Sequence, residues 1–303
     1  MPKICSMLAA ASIEHSHSLW ADCRFLTCSL LPVRMACNLD CKFCFSKSSI
    51  SSLEQLGTRW TESQLERYFA FSRSRGASRL VITGGGEPLL RADAVLAAVR
   101  IGGDFFKEIA LFTNGVLLDR QLVRDLAANG LSYICFSRHH HTEEQNRSLM
   151  GEAAISLEEF FSRVNGQVKV RAICVLCQGF VENSQDIAKY IQTLEPYGVR
   201  EFTFKHTYVA YEHSVFGKSA QNRWAMENQV QQDPFIGEGQ IVATLPWGPQ
   251  IKKIGEMQIC YYYEPTPEWE LKNLVGRSLN LLADGKVYGS LEDQRSLLFT
   301  LNK

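Results

Sequence analysis

The chain has 303 residues, of which 46% are hydrophobic and 21% charged, with Lys+Arg and Asp+Glu both at 32. That balance excludes wholesale disorder and argues against a phosphate backbone, such as tRNA, or an anionic membrane as partner. The length suits one α/β barrel with an extension.

The opening stretch "MPKICSMLAAASIEHSHSLW" is broken too early by Glu14, His15 and His17 to be a secretory segment, and no window is apolar for long enough to span a bilayer. A cytoplasmic protein is expected. Its ten cysteines are then buried hydrophobes, metal ligands or redox groups rather than disulfides.

From residue 29 short apolar runs alternate with helical patterns. "SLLPVRM" (29 to 35) predicts a strand leading into a cysteine-rich loop. A helix over 61 to 76 opens on a capping-box spacing, Thr61 to Gln64, and closes on Gly76. Five further strands are predicted at 79–83, 108–113, 131–137, 168–176 and 200–206, with helices at 91–101, 119–128, 156–165 and 184–195.

Runs apolar enough to be buried on both faces, separated by helices, imply a parallel sheet, and six of them imply a partial (β/α)6 barrel. In such barrels the loops after the strands gather at one end and carry the chemistry. Past residue 208 the rhythm changes: 231–240 is an exposed connection, and "LNLLADGKVYGSLED" (279–293) is a hairpin turning at Asp284-Gly285. The expected divisions are an N-terminal extension (1–29), the barrel (30–208) and a C-terminal extension (209–303) packed on it and covering the substrate.

The loop after the first strand carries Cys37, Cys41 and Cys44, spaced C-x3-C-x2-C. Structural zinc takes four ligands, and the nearest later candidates, His139 to His141, lie about a hundred positions on. Three thiolates on a four-iron cluster leave one iron with a free coordination position, as iron-sulfur catalysis requires. A zinc clip or a non-catalytic redox-sensing module is the rival reading.

The three cysteines, with Phe43 directly before the third, are followed by "TGGGEPLL" (83–90) after the second strand and "TNG" (113–115) after the third. In this order they resemble the radical S-adenosylmethionine (radical SAM) superfamily over residues 30 to about 206. The resemblance implies an enzyme with a [4Fe-4S] cluster on Cys37, Cys41 and Cys44, and SAM chelated to the unique iron. The cluster would cleave SAM reductively to a 5'-deoxyadenosyl radical, which abstracts a hydrogen atom. By the same resemblance Gly84, Gly85, Gly86 and Glu87 contact the methionyl amino group, and the Phe43 backbone lies near adenine. Asn114 and Ser137 reach the ribose or methionyl groups, and Arg147 partners a carboxylate. Independently of the resemblance, glycines at 84 to 86 let a backbone approach a ligand closely.

The substrate implied is a peptide or small metabolite, undergoing epimerisation, cyclisation, bond formation or rearrangement in natural-product or peptide modification. A nucleotide or sugar substrate stays open. Flavodoxin or ferredoxin is the implied electron donor for this oxidoreductase chemistry.

After the fourth strand comes "SRHHHTEEQNR" (137–147), where relatives commonly carry an Asp and this chain has Arg138 and three histidines. A solvated run is the ordinary reading. His139, His140 and His141 are also catalytic candidates for steering a carboxylate or moving a proton. Cys174 is a further catalytic candidate, and one of the thiols at 23, 28, 135, 174, 177 or 260 could return a hydrogen atom to a product radical, with nothing in the sequence to choose among them. Cys174 and Cys177, three apart on a strand, point to opposite faces and make a poor joint metal site. Cys135 is assigned to the core, and Cys23, Cys28 and Cys260 to structural roles. The tail hairpin is similar to the segment opening the auxiliary-cluster (SPASM) extension, with Ser290 where a cysteine commonly stands, so no auxiliary cluster is expected. The aromatic stretches 245–250 and 260–270 either line a cleft or pack the tail on the barrel.

Overall fold

The computed structural model describes residues 19–53, 60–210, 214 and 216–301, so the reading of the first eighteen residues lies outside it. Strands and helices alternate from β1 (Arg24–Leu30) through α1 (Glu62–Ser74), β2 (Arg79–Ile82), α2 (Ala92–Gly102), β3 (Ile109–Thr113), α3 (Arg120–Ala128) and β4 (Tyr133–Ser137). They continue with α4 (Glu143–Met150), α5 (Leu157–Val164), β5 (Lys169–Val175), α6 (Ser184–Leu194) and β6 (Glu201–Lys205). Local chemistry sets the helix ends. Thr61 and Gln64 complete a reciprocal capping box at α1, Asp119, Ser156 and Asn183 accept amide hydrogens at the starts of α3, α5 and α6, and Gly76 takes a φ of +100° after α1.

Two elements differ from expectation. The first strand lies at 24–30 rather than 29–35, because Pro32 has no N–H to give a ladder, and residues 31–36 already form the approach to the cysteine loop. The stretch 137–147 contains the start of α4, which Thr142 caps by accepting from Gln145 N, with Glu143 and Glu144 in the first turn.

With β7 (Gln240–Thr244), β8 (Gln250–Ile254), β9 (Met257–Tyr262), β10 (Val275–Leu281), β11 (Lys286–Tyr288) and β12 (Leu297–Thr300) from the tail, the twelve strands among the described residues form one sheet in the order β12-β11-β10-β1-β2-β3-β4-β5-β6-β9-β8-β7. The six strands of the expected barrel are parallel, and the tail extends them at both edges rather than resting on top. After α7 (Ala220–Glu227) and the hairpin β7 (Gln240–Thr244) and β8 (Gln250–Ile254), strand β9 (Met257–Tyr262) pairs parallel with β6. Helix α8 (Pro267–Asn273) then crosses to β10 (Val275–Leu281), which pairs parallel with β1. Eight parallel strands result. No backbone ladder joins β9 to β10, but Arg277 Nη1 on β10 lies 2.6 Å from Glu264 Oε2, just past β9, and 3.5 Å from the Tyr262 hydroxyl. The hairpin turns at Asp284-Gly285 as expected, leading into β11 (Lys286–Tyr288) and then β12 (Leu297–Thr300).

Register separates two apolar layers. Ile134, Ala172, Phe202 and Ile259 share the face covered by helices, while Ala110, Tyr133, Cys135 and Ile173 share the opposite face and pack as a cluster of their own inside the barrel. Among the described residues no helix is long and apolar enough to cross a membrane.

Candidate active site

The cysteine loop is held from below by the end of α4. Asp40 N donates to Met150 O at 3.0 Å and Lys42 N to Leu149 O at 3.1 Å, so carbonyls that a helix C-terminus leaves unpaired are spent on the loop. The three thiols share one electrostatic field. Burial first, then the neighbouring Cys44 and Cys37, push the Cys41 thiol far above its ordinary range, while Cys37, an exposed residue, is raised by the partial desolvation its loop imposes and by Glu87 and Cys44. Among the described residues no set of three or more His, Cys, Asp or Glu has converged on metal-binding geometry. The donor chemistry nevertheless fits a cationic iron-sulfur centre: thiols that oppose each other's ionisation are what a metal charge relieves.

The glycine loop meets the approach to the cysteines backbone to backbone. A Cβ on Gly86 would lie 1.7 Å from the Ala36 carbonyl oxygen, and one on Gly85 would lie 2.9 Å from that of Val33. Glu87 N donates to Ala36 O at 2.9 Å, and Ser46 Oγ donates to Gly84 O at 3.2 Å. Glycine is therefore demanded by loop-on-loop contact, a requirement that the sequence reading assigned to a ligand.

Glu87 is buried and its carboxylate takes three donors from the chain itself. It accepts from Leu89 N at 3.1 Å, Thr113 Oγ1 at 2.7 Å and Asn114 N at 2.9 Å. Burial raises its pKa against the pull of these donors. Asn114 in turn donates from Nδ2 to Asn38 Oδ1 at 2.8 Å, with Cys37 Sγ 3.8 Å away, and its Oδ1 accepts from Val116 N. The three motif loops thus form one hydrogen-bonded unit.

Ser137 ends β4 half-buried, on the barrel-interior face it shares with Tyr133 and Cys135. Arg147 lies half-buried on α4, and no ion pair engages its guanidinium among the described residues. Arg138 turns into the protein instead: it is 1% exposed, pairs with Glu143 at 3.1 Å, and its carbonyl accepts the Tyr190 hydroxyl.

The histidine run is not a solvated one. His139 and His140 are buried, the first with Nδ1 accepting the Val175 N–H at 2.9 Å, the second bonded through Nδ1 to Thr142. Burial, reinforced by Lys205 and Arg138, drives the His139 pKa down to about 3. Burial and charge repulsion from His141, whose ring stacks at 4.1 Å, drive His140 down to about 4. Burial also lowers His141, whose Nδ1 is sealed without a hydrogen-bond partner. The adjoining helix α4, overlooked in the sequence, is what folds this segment inward.

Cys174 pairs in register with Phe204 on the helix-facing side, with its thiol against the His139 carbonyl, so it is turned away from the barrel interior where a hydrogen-atom donor would be needed. Cys135 and Cys260 occupy interior positions, opposite Phe112 and Thr203. Cys177 packs with Leu39 and Phe43 beneath the cysteine loop.

From the tail, Ser219 bonds Ser48 at 2.7 Å and the Trp224 ring approaches Phe43 at 6.2 Å. Trp247 packs on Trp269 and Tyr262 within the tail. Ser290, at the place of the SPASM-like cysteine, is buried and hydrogen-bonded to Ser296.

Three cysteines in the loop after the first strand of a parallel barrel, tied to two glycine-bearing loops after the next two strands, place the chain among α/β barrel proteins that gather their motif loops at the strand ends. Residues 32–194, more than half of the chain, match the family described as the Radical SAM superfamily, and the chain belongs to it. Enzymes of this superfamily use a [4Fe-4S] cluster with SAM, and this chain is one of them.

A GTP 3',8-cyclase of Aquifex aeolicus is 31% identical over 164 residues, which cover 52% of this chain and 50% of that protein. The Fe-coproporphyrin III synthase of Methanosarcina barkeri is 24% identical over 173 residues, covering 56% and 41%. The matches span about half the length of these relatives or less. Among solved structures, Streptococcus suis SuiB bound to S-adenosylmethionine shares the fold with a TM-score of 0.60 at 14% identity, over 92% of this chain and 64% of that one. SuiB bound to its precursor peptide SuiA superposes with a TM-score of 0.57 at the same identity, over 94% and 64%.

Proposed function

We propose that Cys37, Cys41 and Cys44 hold the [4Fe-4S] cluster and that the chain abstracts a hydrogen atom from a peptide or small-metabolite substrate. The cluster and SAM, when bound, supply a 5'-deoxyadenosyl radical by one-electron reductive cleavage. The chain's part is placement and shielding. Backbone groups of Gly84 to Gly86 face the methionyl end and the Phe43 backbone lies near the adenine. Asn114, Ser137 and Arg147 serve the ribose, methionyl and carboxylate groups. Glu87 acts through Asn114, whose backbone N–H it accepts. Residues 209–303, joined to the barrel of 30–208 at both sheet edges, reach from there over the substrate, and flavodoxin or ferredoxin delivers the electron.

One observation carries this reading: the Glu87 to Asn114 to Asn38 chain of hydrogen bonds ties all three motif loops at the strand ends, beside Cys37. A zinc clip needs no such cradle. A nucleotide substrate is the second reading, favoured by the 31% identity to a protein named GTP 3',8-cyclase.

The test is anaerobic reconstitution with iron and sulfide, followed by SAM and dithionite. 5'-Deoxyadenosine should form, and Cys41→Ala should abolish it. Stoichiometric zinc with no brown chromophore overturns the proposal. Offering GTP and candidate peptides to the active protein then separates the two substrate readings.

A further inference from the structure

His139 stands where β4 gives way to the turn before α4, and its polar groups are engaged on three sides. Its N–H donates to Asn146 Oδ1 at 2.8 Å, its carbonyl receives the Cys174 thiol at 3.6 Å, and its Nδ1 accepts the Val175 N–H at 2.9 Å. Because Nδ1 accepts a backbone N–H, the ring proton resides on Nε2. The ring meets that of Phe43 edge-on, with centroids 4.6 Å apart, and Phe43 lies between the second and third cysteines of the loop. The charged and titratable groups around it are Lys205, Arg138 and Cys174.

We propose that His139 is a positioning residue for SAM: an uncharged ring, locked in its Nε2–H tautomer, that fixes Phe43 and with it the backbone between Cys41 and Cys44. This rests on the reading that those cysteines hold the cluster. A histidine that moves protons must gain and lose one at an available nitrogen. Here Nε2 already carries its proton, and protonating Nδ1 requires breaking the Val175 hydrogen bond inside the protein. What the ring retains is shape. It is 4% exposed and packs edge-on against Phe43 at 4.6 Å, closer than Trp224 of α7 at 6.2 Å. The same hydrogen bond accounts for a histidine tolerated beside two cations, Lys205 and Arg138, because its Nδ1 is spent as an acceptor.

The experiment uses the full reconstituted chain with dithionite as reductant, measuring 5'-deoxyadenosine formation against SAM concentration and pH, and the EPR spectrum of the reduced cluster with and without SAM. His139→Ala should raise the KM for SAM about ten-fold, change kcat by less than about three-fold and blunt the SAM-induced change in the EPR signal. His139→Phe, which keeps a ring against Phe43 but carries no proton to transfer, should return the KM to within about three-fold of the wild type. The wild-type profile between pH 6 and 8 should contain no limb that His139→Phe removes. If His139→Ala fails to fold, His139→Leu takes its place, apolar and without a ring. A drop in kcat at unchanged KM shared by the Phe and Ala variants overturns the proposal, as does a pH limb lost in both. Failure of the underlying reading looks different, because the wild type itself then forms no chromophore and no 5'-deoxyadenosine.

Discussion

The Glu87 carboxylate accepts the backbone N–H of Asn114 at 2.9 Å, joining the loop after β2 to the loop after β3 across 27 residues of sequence. With the Thr113 hydroxyl and Leu89 amide on the same carboxylate, three donors depend on one buried side chain. Glu87→Ala should leave them unpaired at about 1 kcal/mol or more each, lowering stability by about 3 kcal/mol in urea denaturation. It should also weaken SAM binding. Glu87→Gln should cost less, because one acceptor oxygen remains. A wild-type urea midpoint in the Ala variant would show that the clamp is not needed.

Gly86 leaves no room for a methyl group. In Gly86→Ala the new Cβ meets the Ala36 carbonyl 1.7 Å away, so the glycine loop must retreat from the approach to Cys37. Backbone on both sides gives little relief. Iron content after reconstitution should fall well below that of the wild type, and Gly130→Ala, where nothing lies within 4 Å but φ is +97°, is the control for simple backbone strain. Full iron occupancy in Gly86→Ala speaks against the contact.

The β9 to β10 junction rests on side chains. Glu264 faces Arg277 at 2.6 Å and Lys205 at 3.1 Å, and the two cations hold its carboxyl below the usual range despite burial. Glu264→Gln leaves two inward-turned cations without their counter-charge and should destabilise by about 3 to 5 kcal/mol. Arg277→Met with Glu264→Leu together should cost less than the single change. Thermal unfolding of the two variants side by side decides this.

The pH dependence of stability has two opposed sources. Burial pushes the Glu270 and Glu292 carboxyls up to about 8 from an ordinary 4.5. Their contribution is therefore complete below about 4.5 and is lost as pH rises to about 8. His139 and His140 are depressed from 6.5 to about 3 and about 4, so their contribution is present above 6.5 and is lost as pH falls toward those values. Between 6.5 and 8 only the carboxyls act, and stability should fall with rising pH by at most about 1.4 kcal/mol per unit for each. Below 4.5 the histidines act in the opposite sense, joined by Glu264 and Glu201, whose pKa values lie below the ordinary one. Melting temperatures should peak between about 4.5 and 6.5, and Glu270→Gln should flatten the alkaline side.

Local chemistry made much of this legible in the sequence. Caps such as Thr61 to Gln64 and Asp119 mark helix ends, apolar runs mark the parallel strands, and Asp284-Gly285 marks the hairpin, because each signal acts within a few residues. The cysteine, glycine and Asn-Gly motifs fall in loops after successive strands for the same reason. Helix α4 was also legible, in the Thr142 to Gln145 cap, but the adjoining histidines read as a solvated loop.

Other features are set by partners far away in the chain. Nothing near Met257 or Val275 specifies β6 or β1 as neighbours, since parallel pairing is chosen by the closing of the whole sheet. Nothing near His139 announces that Asn146, Val175 and Phe43 will enclose it. Whether Cys174 or Cys260 looks into the barrel follows from register, which one residue of slip reverses. Sequence by itself determined strands β2 to β6, the caps and the family of motifs, because those depend on neighbours in the chain. Tertiary structure alone decided which buried polar groups meet and which face each thiol takes, because those energies arise only when distant segments exclude water together.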